Sequence, residues 1–165
     1  VLSLLVAIIG CTPKPASFKP GSEPDGFGGI KWSTPFSEVK TDMVESRSVS
    51  NPTEPDVKIK IYYSKKGNHL KMGEAQLDKM EYGFWKGKFA EVQIIATGSG
   101  NFNRLKNFLF EKFGSVEKPL QGVFSWDGSI TQMALRYDEA TQTSSVTIAS
   151  TKIINQALQE MVDQD

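Results

Sequence analysis

Residues 76–114, QLDKMEYGFWKGKFAEVQIIATGSGNFNRLKNFLFEKFG, decide the fold. Apolar and polar residues alternate on either side of Lys86-Gly87-Lys88, which predicts two antiparallel strands at 76–85 and 89–97 joined by a tight turn. A helix is then expected to begin after Gly98-Ser99-Gly100 and to end at Gly114. The side chains expected to point into the core are Met80, Tyr82 and Phe84 on the first strand, Ala90, Val92, Ile94 and Ala96 on the second, and Phe102, Leu105, Phe108, Leu109 and Phe113 on the helix.

Similar patterns extend to both sides of this stretch. Residues 57–63 place Val57, Ile59, Ile61 and Tyr63 on one face and Lys58, Lys60 and Tyr62 on the other, as in a half-buried antiparallel strand. Asp127-Gly128 is a strong hairpin signal between strands at 123–126 and 130–137. Further strands are predicted at 28–32, 43–49 and 145–149, with a short helix ending near Lys40 and a terminal helix beginning at Ser150 or Thr151. These elements predict an α+β fold with a single antiparallel sheet of about seven to eight strands, and with two longer helices and one short helix on one face.

The beginning of the chain has the features of a secretion signal. Residues 1–10, VLSLLVAIIG, are uncharged and almost wholly apolar, and as a helix they would span only about 15 Å of a bilayer core about 30 Å thick. This length suits the h-region of a signal peptide better than a membrane span. The four residues Ile8-Ile9-Gly10-Cys11 that end it resemble the lipobox of bacterial lipoproteins.

The resemblance to lipoproteins implies a membrane anchor at Cys11. Lipid would be attached to the cysteine sulfur, the leader would be cleaved after Gly10, and the protein would sit in the bacterial cell envelope with the membrane as its first partner. Thr12, rather than Asp, follows the cysteine, which by the same resemblance implies the outer membrane, facing the periplasm, if the bacterium is Gram-negative.

A proline-rich segment follows the cysteine and predicts an extended tether. It contains four prolines, and Phe18 is its single large apolar residue. The chain is therefore expected to comprise a signal-peptide h-region at 1–10, the lipidated Cys11 and its tether at 11–26, and one α+β domain at 27–165.

Several stretches of the domain are together similar to an uncharacterised family of secreted bacterial proteins. They are residues 29–34 (GIKWST), 82–89 (YGFWKGKF), 101–106 (NFNRLK) and Phe113-Gly114. This resemblance implies secretion but no activity.

Composition argues against several classes of function. Lys and Arg together number 19 and Asp and Glu also number 19, so the balance provides no broad basic surface for nucleic acid. With one cysteine and one histidine, His69, the chain can form no internal disulfide and lacks ligands for a Cys/His zinc site. Gly98-Ser99-Gly100 completes neither a dinucleotide-binding nor a P-loop motif, since Asn103 stands where the former needs glycine. No cofactor or metal is therefore predicted, and His69 is expected in an exposed turn.

Two residue sets remain as candidate functional sites. Trp85 and Tyr62 are expected to lie on the sheet face away from the helices, with Trp126 near the rim beside its hairpin turn, and exposed aromatic rings of this kind often carry binding energy. This favours a non-catalytic module that binds an envelope protein, a glycan or a small ligand. The alternatives are an envelope hydrolase that uses paired carboxylates drawn from Glu81, Glu91, Asp127 and Asp138, and a structural or assembly lipoprotein. An exposed aromatic groove would favour binding, two converging carboxylates in a deep pocket would favour the enzyme, and a featureless polar face would favour assembly.

Overall fold

The computed structural model describes residues 15–51 and 54–162. Cys11 and the predicted leader lie outside the described residues. The helices are α1 (Phe36–Val39), α2 (Ser99–Phe113) and α3 (Thr151–Val162), and a 3-10 turn follows α1 at Lys40–Asp42. The strands are β1 (Gly26–Phe27), β2 (Ile30–Lys31), β3 (Met43–Ser50), β4 (Lys58–Lys65), β5 (Lys71–Met72), β6 (Ala75–Gln76), β7 (Lys79–Trp85), β8 (Lys88–Thr97), β9 (Val123–Asp127), β10 (Thr131–Asp138) and β11 (Thr143–Ser150). In the part of the chain that is described, no helix is both long enough and apolar enough to cross a membrane.

Seven of the strands in the described ranges form one antiparallel sheet in the order β3-β4-β7-β8-β11-β10-β9. The class α+β is confirmed. The prediction of a single sheet is imprecise, because β1–β2 and β5–β6 form two further two-stranded sheets outside the main one. The strand predicted at 28–32 is in fact part of a hairpin: Gly28 and Gly29 both have positive φ, 59° and 81°, so the chain reverses where one short strand was expected.

The main core lies on the face of the sheet that α2 covers, here called the inner face. Tyr82, Phe84, Val92 and Ile94 are buried there, as their alternation predicts. On α2, the buried positions are Leu105, Leu109 and Phe113, whereas Phe102 and Phe108 are only half-buried at the margin. Ala90 was predicted to point into this core, but it belongs to a separate cluster. The reason is that the pairing register of β7 and β8 shifts beside Gly83.

That separate cluster places α3 on the opposite face of the sheet, here called the outer face. Ile153 of α3, with Ala157 half-buried beside it, packs against Trp85 and Ala90. The prediction that all helices share one face is therefore wrong. The physical reason is that Trp85 and Ala90 present apolar surface on the outer face, and the apolar stripe of α3 buries it.

Residues 16–24, here called the N-terminal strap, are docked on the domain. Ala16 bridges Trp126 at the edge of β9, where its N–H donates to the Ser125 carbonyl at 2.9 Å and its carbonyl accepts from the Asp127 N–H at 2.8 Å. Farther along, the Glu23 carboxylate accepts backbone N–H bonds from Ile130 and Thr131 at 2.6 and 2.9 Å. The prediction of a free tether through residue 26 is thus wrong from Ala16 onwards, because the strap satisfies backbone groups at the sheet edge.

Candidate functional site

The three aromatic residues predicted to form a recognition surface are all buried. Tyr62 and Trp85 do lie on the outer face, as the alternation predicts, but only 3% and 8% of their surface is exposed. Trp126 is 1% exposed and belongs to the inner core, where its indole N–H donates to the Gly114 carbonyl at 2.7 Å. The expectation of exposed rings is therefore wrong for each, and they form no aromatic groove.

Tyr62 is buried because its ring is enclosed on both sides. The Arg47 guanidinium carbon lies 3.4 Å from the ring centroid, within stacking range of a cation–π contact. On β7, Gly83 pairs with Tyr62, and a Cβ built on Gly83 would come within 3.0 Å of the ring. Glycine at position 83 therefore provides the space into which the ring lies flat.

The Tyr62 hydroxyl belongs to a hydrogen-bonded group around Glu91. It donates to the Glu91 carboxylate at 2.5 Å, and that carboxylate also accepts from Lys60 Nζ at 2.9 Å and from Gln93 Nε2 at 3.0 Å. Burial, together with the bond to Glu91, raises the pKa of Tyr62 above its ordinary range, so the phenol stays protonated as the donor.

Glu81 is the second buried carboxylate on this face, and Arg47 and Gln93 connect it to the group around Glu91. Its carboxylate accepts from Ser46 at 2.6 Å, Lys79 at 2.9 Å and Arg47 at 3.0 Å, and Arg47 also donates to Gln93 at 2.7 Å. Burial alone would raise the pKa of Glu81, but the hydrogen bonds from Ser46, Lys79 and Arg47 outweigh it and hold the pKa below its ordinary value. We call the joined set the polar network; it comprises Ser46, Arg47, Lys60, Tyr62, Lys79, Glu81, Glu91 and Gln93.

The polar network does not have the chemistry of a paired-carboxylate hydrolase. Such an enzyme needs one carboxyl group that is protonated near neutral pH, which requires a raised pKa. Glu81 has the opposite shift, and both Glu81 and Glu91 already accept three side-chain donors. Asp138 instead accepts the backbone N–H groups of Ala140 and Thr141 at 2.9 and 3.1 Å, as a turn residue.

The other motifs considered in the sequence have local structural roles. His69 is exposed in the connection between β4 and β5. The Gly98-Ser99-Gly100 segment leads into the first turn of α2. The Asn101 side chain ties that turn to neighbouring strands: it donates to the Thr97 carbonyl at 2.9 Å and accepts the Gln76 N–H at 3.1 Å. No group of three or more His, Cys, Asp or Glu residues that could hold a metal ion occurs among the residues that the structure describes.

A shallow groove of about 360 Å³ occupies the other half of the outer face, beside α3. We call it the outer groove. Its floor is made by Ala134 and Gln132 of β10, paired across the sheet with Thr147 and Ala149 of β11. Ile154 of α3 lines it as well, and Pro15 lines it at the start of the described chain.

A second cavity of about 330 Å³ lies on the inner face, where the two small hairpins meet α2. We call it the hairpin cavity. It is lined by Phe27 and Gly28 of the first hairpin, Lys71 and Met72 of the second, and by Phe108, Lys112 and Phe113 of α2, among others. Sequence reasoning missed it because both hairpins have strands of two residues, too short to show alternation.

A scan against protein-family models and searches of curated proteins and of solved structures found no match to the chain. Function is therefore inferred from the chemistry of the described residues and from the sequence motif at Cys11.

Proposed function

We propose that the protein is a lipid-anchored module of the bacterial cell envelope that binds a partner without catalysing a reaction. The lipobox-like Ile8-Ile9-Gly10-Cys11 supports the anchor, and in a Gram-negative bacterium we place the protein at the outer membrane, facing the periplasm. The observation that carries the binding part is the outer groove, a concave surface whose floor combines apolar and polar side chains. The engagement of both network carboxylates with cations favours binding over hydrolysis.

The docked strap gives this proposal a specific geometry. Five peptide units separate Cys11 from Ala16, and a chain of that length spans at most about 18 Å. Because Ala16 is fixed to β9, an anchor at Cys11 would hold the β9 edge of the sheet close to the membrane. The outer groove, lined by Pro15, would then open near the membrane surface.

The lining of the outer groove suits a small ligand or a protruding part of an envelope protein or glycan. Ala134, Ala149 and Ile154 supply apolar surface, and Gln132 and Thr147 supply hydrogen-bonding groups on the same floor. Ligand sites typically combine mostly apolar walls with a few polar groups that fix orientation, and the volume lies at the lower end of their range.

Photocrosslinking from within the outer groove tests the binding proposal. A photoreactive amino acid at Gln132, on the groove floor, is expected to give a discrete adduct in intact cells after irradiation. The same amino acid at Glu111, exposed on α2 on the other side of the sheet, is the matched control and should not give that adduct.

A second substitution links the adduct to the groove itself. Ala134→Arg, at a half-buried position beside Gln132, should fill the outer groove and abolish the adduct while the thermal unfolding midpoint stays within a few degrees. An identical pattern from Gln132 and Glu111, or an adduct that survives Ala134→Arg in the folded variant, would contradict binding at this groove.

A further inference from the structure

We infer that the hairpin cavity is a binding site for an amphiphilic carboxylate, of the kind represented by a medium-chain fatty acid. This inference concerns the inner face and does not depend on the Cys11 anchor or on the outer groove. It rests on an apolar lining, on two lysines that form no ion pair with a carboxylate of the described residues, and on the two small hairpins that wall the cavity.

The interior of the hairpin cavity is apolar and aromatic. Met72, Phe113 and Ile148 are buried side chains of the lining, and Phe27 and Phe108 are half-buried. Its volume of about 330 Å³ lies within the range of small-molecule sites, and removing an alkyl chain from water into such walls is favourable in proportion to the area buried.

The charged residues that line the cavity are both lysines. Lys71 and Lys112 both line it, and neither forms an ion pair with a carboxylate of the described residues. Lys112 Nζ lies 5.6 and 5.3 Å from the ring centroids of Phe108 and Phe113, so its ammonium group stands over the aromatic wall. In contrast, Lys60 and Lys79 of the outer face are each paired with a buried glutamate.

These two properties together select the ligand class. A neutral hydrocarbon would leave the two ammonium groups unused, and an organic cation would be repelled by them. A molecule with one carboxylate and a short alkyl chain can pair its charge with the lysines of the lining and lay its chain against Met72 and Phe113.

The position of the cavity allows entry without disturbing the main sheet. Two of its walls come from the β1–β2 and β5–β6 hairpins, which are separate from the seven-stranded sheet. A ligand in the cavity would therefore contact these two hairpins and α2, and the strand pairing of the main sheet would not have to change.

Calorimetric titration of the full chain with three ten-carbon probes tests the inference, each below its micelle-forming concentration. Decanoate is expected to bind at least about tenfold more tightly than decanol, and decyltrimethylammonium should bind most weakly. Lys71→Met and Lys112→Met should each weaken decanoate binding about fivefold, the effect of one partly exposed ion pair, and leave decanol binding unchanged.

Lys106→Met, on the same helix but outside the cavity lining, is the matched control and should leave decanoate binding unchanged. Lys71→Met should unfold at the temperature of the parent chain, because no described carboxylate pairs with Lys71. Lys112→Met and Lys106→Met each remove an ammonium group that lies over two phenylalanine rings, and their unfolding temperatures should stay within a few degrees of the parent. Equal affinity for decanoate and decanol, decanoate binding unaffected by both cavity variants, or an equal loss in Lys106→Met would overturn the inference. Absence of the Gln132 adduct or of lipid labelling would contradict the proposed function but not the fatty-acid site in the hairpin cavity. The two proposals can therefore fail separately.

Discussion

Trp126→Ala is expected to lower the free energy of unfolding by about 3–5 kcal/mol, the cost of removing a large, fully buried aromatic side chain. Trp126 is 1% exposed and packs edge-on against Phe110 with ring centroids 5.9 Å apart. Its indole N–H also satisfies the Gly114 carbonyl at the end of α2. Chemical denaturation with linear extrapolation measures the change.

Trp126→Phe separates the packing of the ring from its hydrogen bond. Phenylalanine keeps most of the apolar volume but leaves the Gly114 carbonyl without its donor, which is expected to cost about 1–3 kcal/mol. A loss below about 1 kcal/mol for Trp126→Ala would show that this residue is not part of the core, contrary to the packing described.

Trp85→Ala is expected to destabilise the domain by about 3 kcal/mol, at the low end of the range for large aromatic residues because the ring lies near the margin of the sheet. The residue is 8% exposed and forms a small cluster with Ala90 and Ile153. The Lys86 ammonium lies 4.9 Å from the ring centroid, and Lys86 also forms an ion pair with Glu160 of α3. Losing the ring should therefore loosen α3 as well as open a cavity.

Leu158→Ala is the matched control on the same helix. Leu158 is 55% exposed, so its truncation should change the free energy of unfolding by less than about 0.5 kcal/mol. Hydrogen exchange should show faster opening of α3 amides in Trp85→Ala than in Leu158→Ala. Equal and small effects of both substitutions would mean that α3 does not cover Trp85, and would restore the interpretation of Trp85 as a surface residue.

Local periodicity was sufficient to predict much of the sheet. The alternation in 76–97 correctly predicted β7, β8 and the burial of Tyr82 and Val92, because a strand buried on one face repeats every two residues. The same periodicity also put Trp85 and Tyr62 on the correct face. It could not show that these two rings are buried, because α3 packs over Trp85 and Arg47 over Tyr62, and both are distant in sequence from the ring that they bury.

The docked strap and the small hairpins were missed for a different reason. Ala16 and Lys19 are held by backbone hydrogen bonds to β9 and to the end of α2, and such bonds leave no signature in composition. A proline-rich segment with one aromatic residue has the composition of a tether whether or not its backbone finds partners. Phe18, which contacts Phe113 edge-on at 5.9 Å, was the available signal that the segment packs.

The sequence suggested Glu81 and Glu91 only as candidates for a carboxylate pair, without the donors that surround each of them. Glu81 and Glu91 were correctly placed on strands, but their burial depends on donors from β3 and β4 that sequence spacing does not bring together. A buried carboxylate needs such partners, so its environment follows from the tertiary fold rather than from its own strand.

Lipid labelling at Cys11 tests the proposed envelope function most directly. The chain is expressed in a bacterium behind a basic n-region, with labelled palmitate in the medium, and the membrane and soluble fractions are compared. The sequence contains one cysteine, so Cys11→Ser removes the single thiol that could accept the lipid. We predict labelled protein in the membrane fraction for the parent chain, and unlabelled protein released from the membrane for Cys11→Ser. Equal labelling and equal membrane association of the two proteins would contradict the lipid anchor.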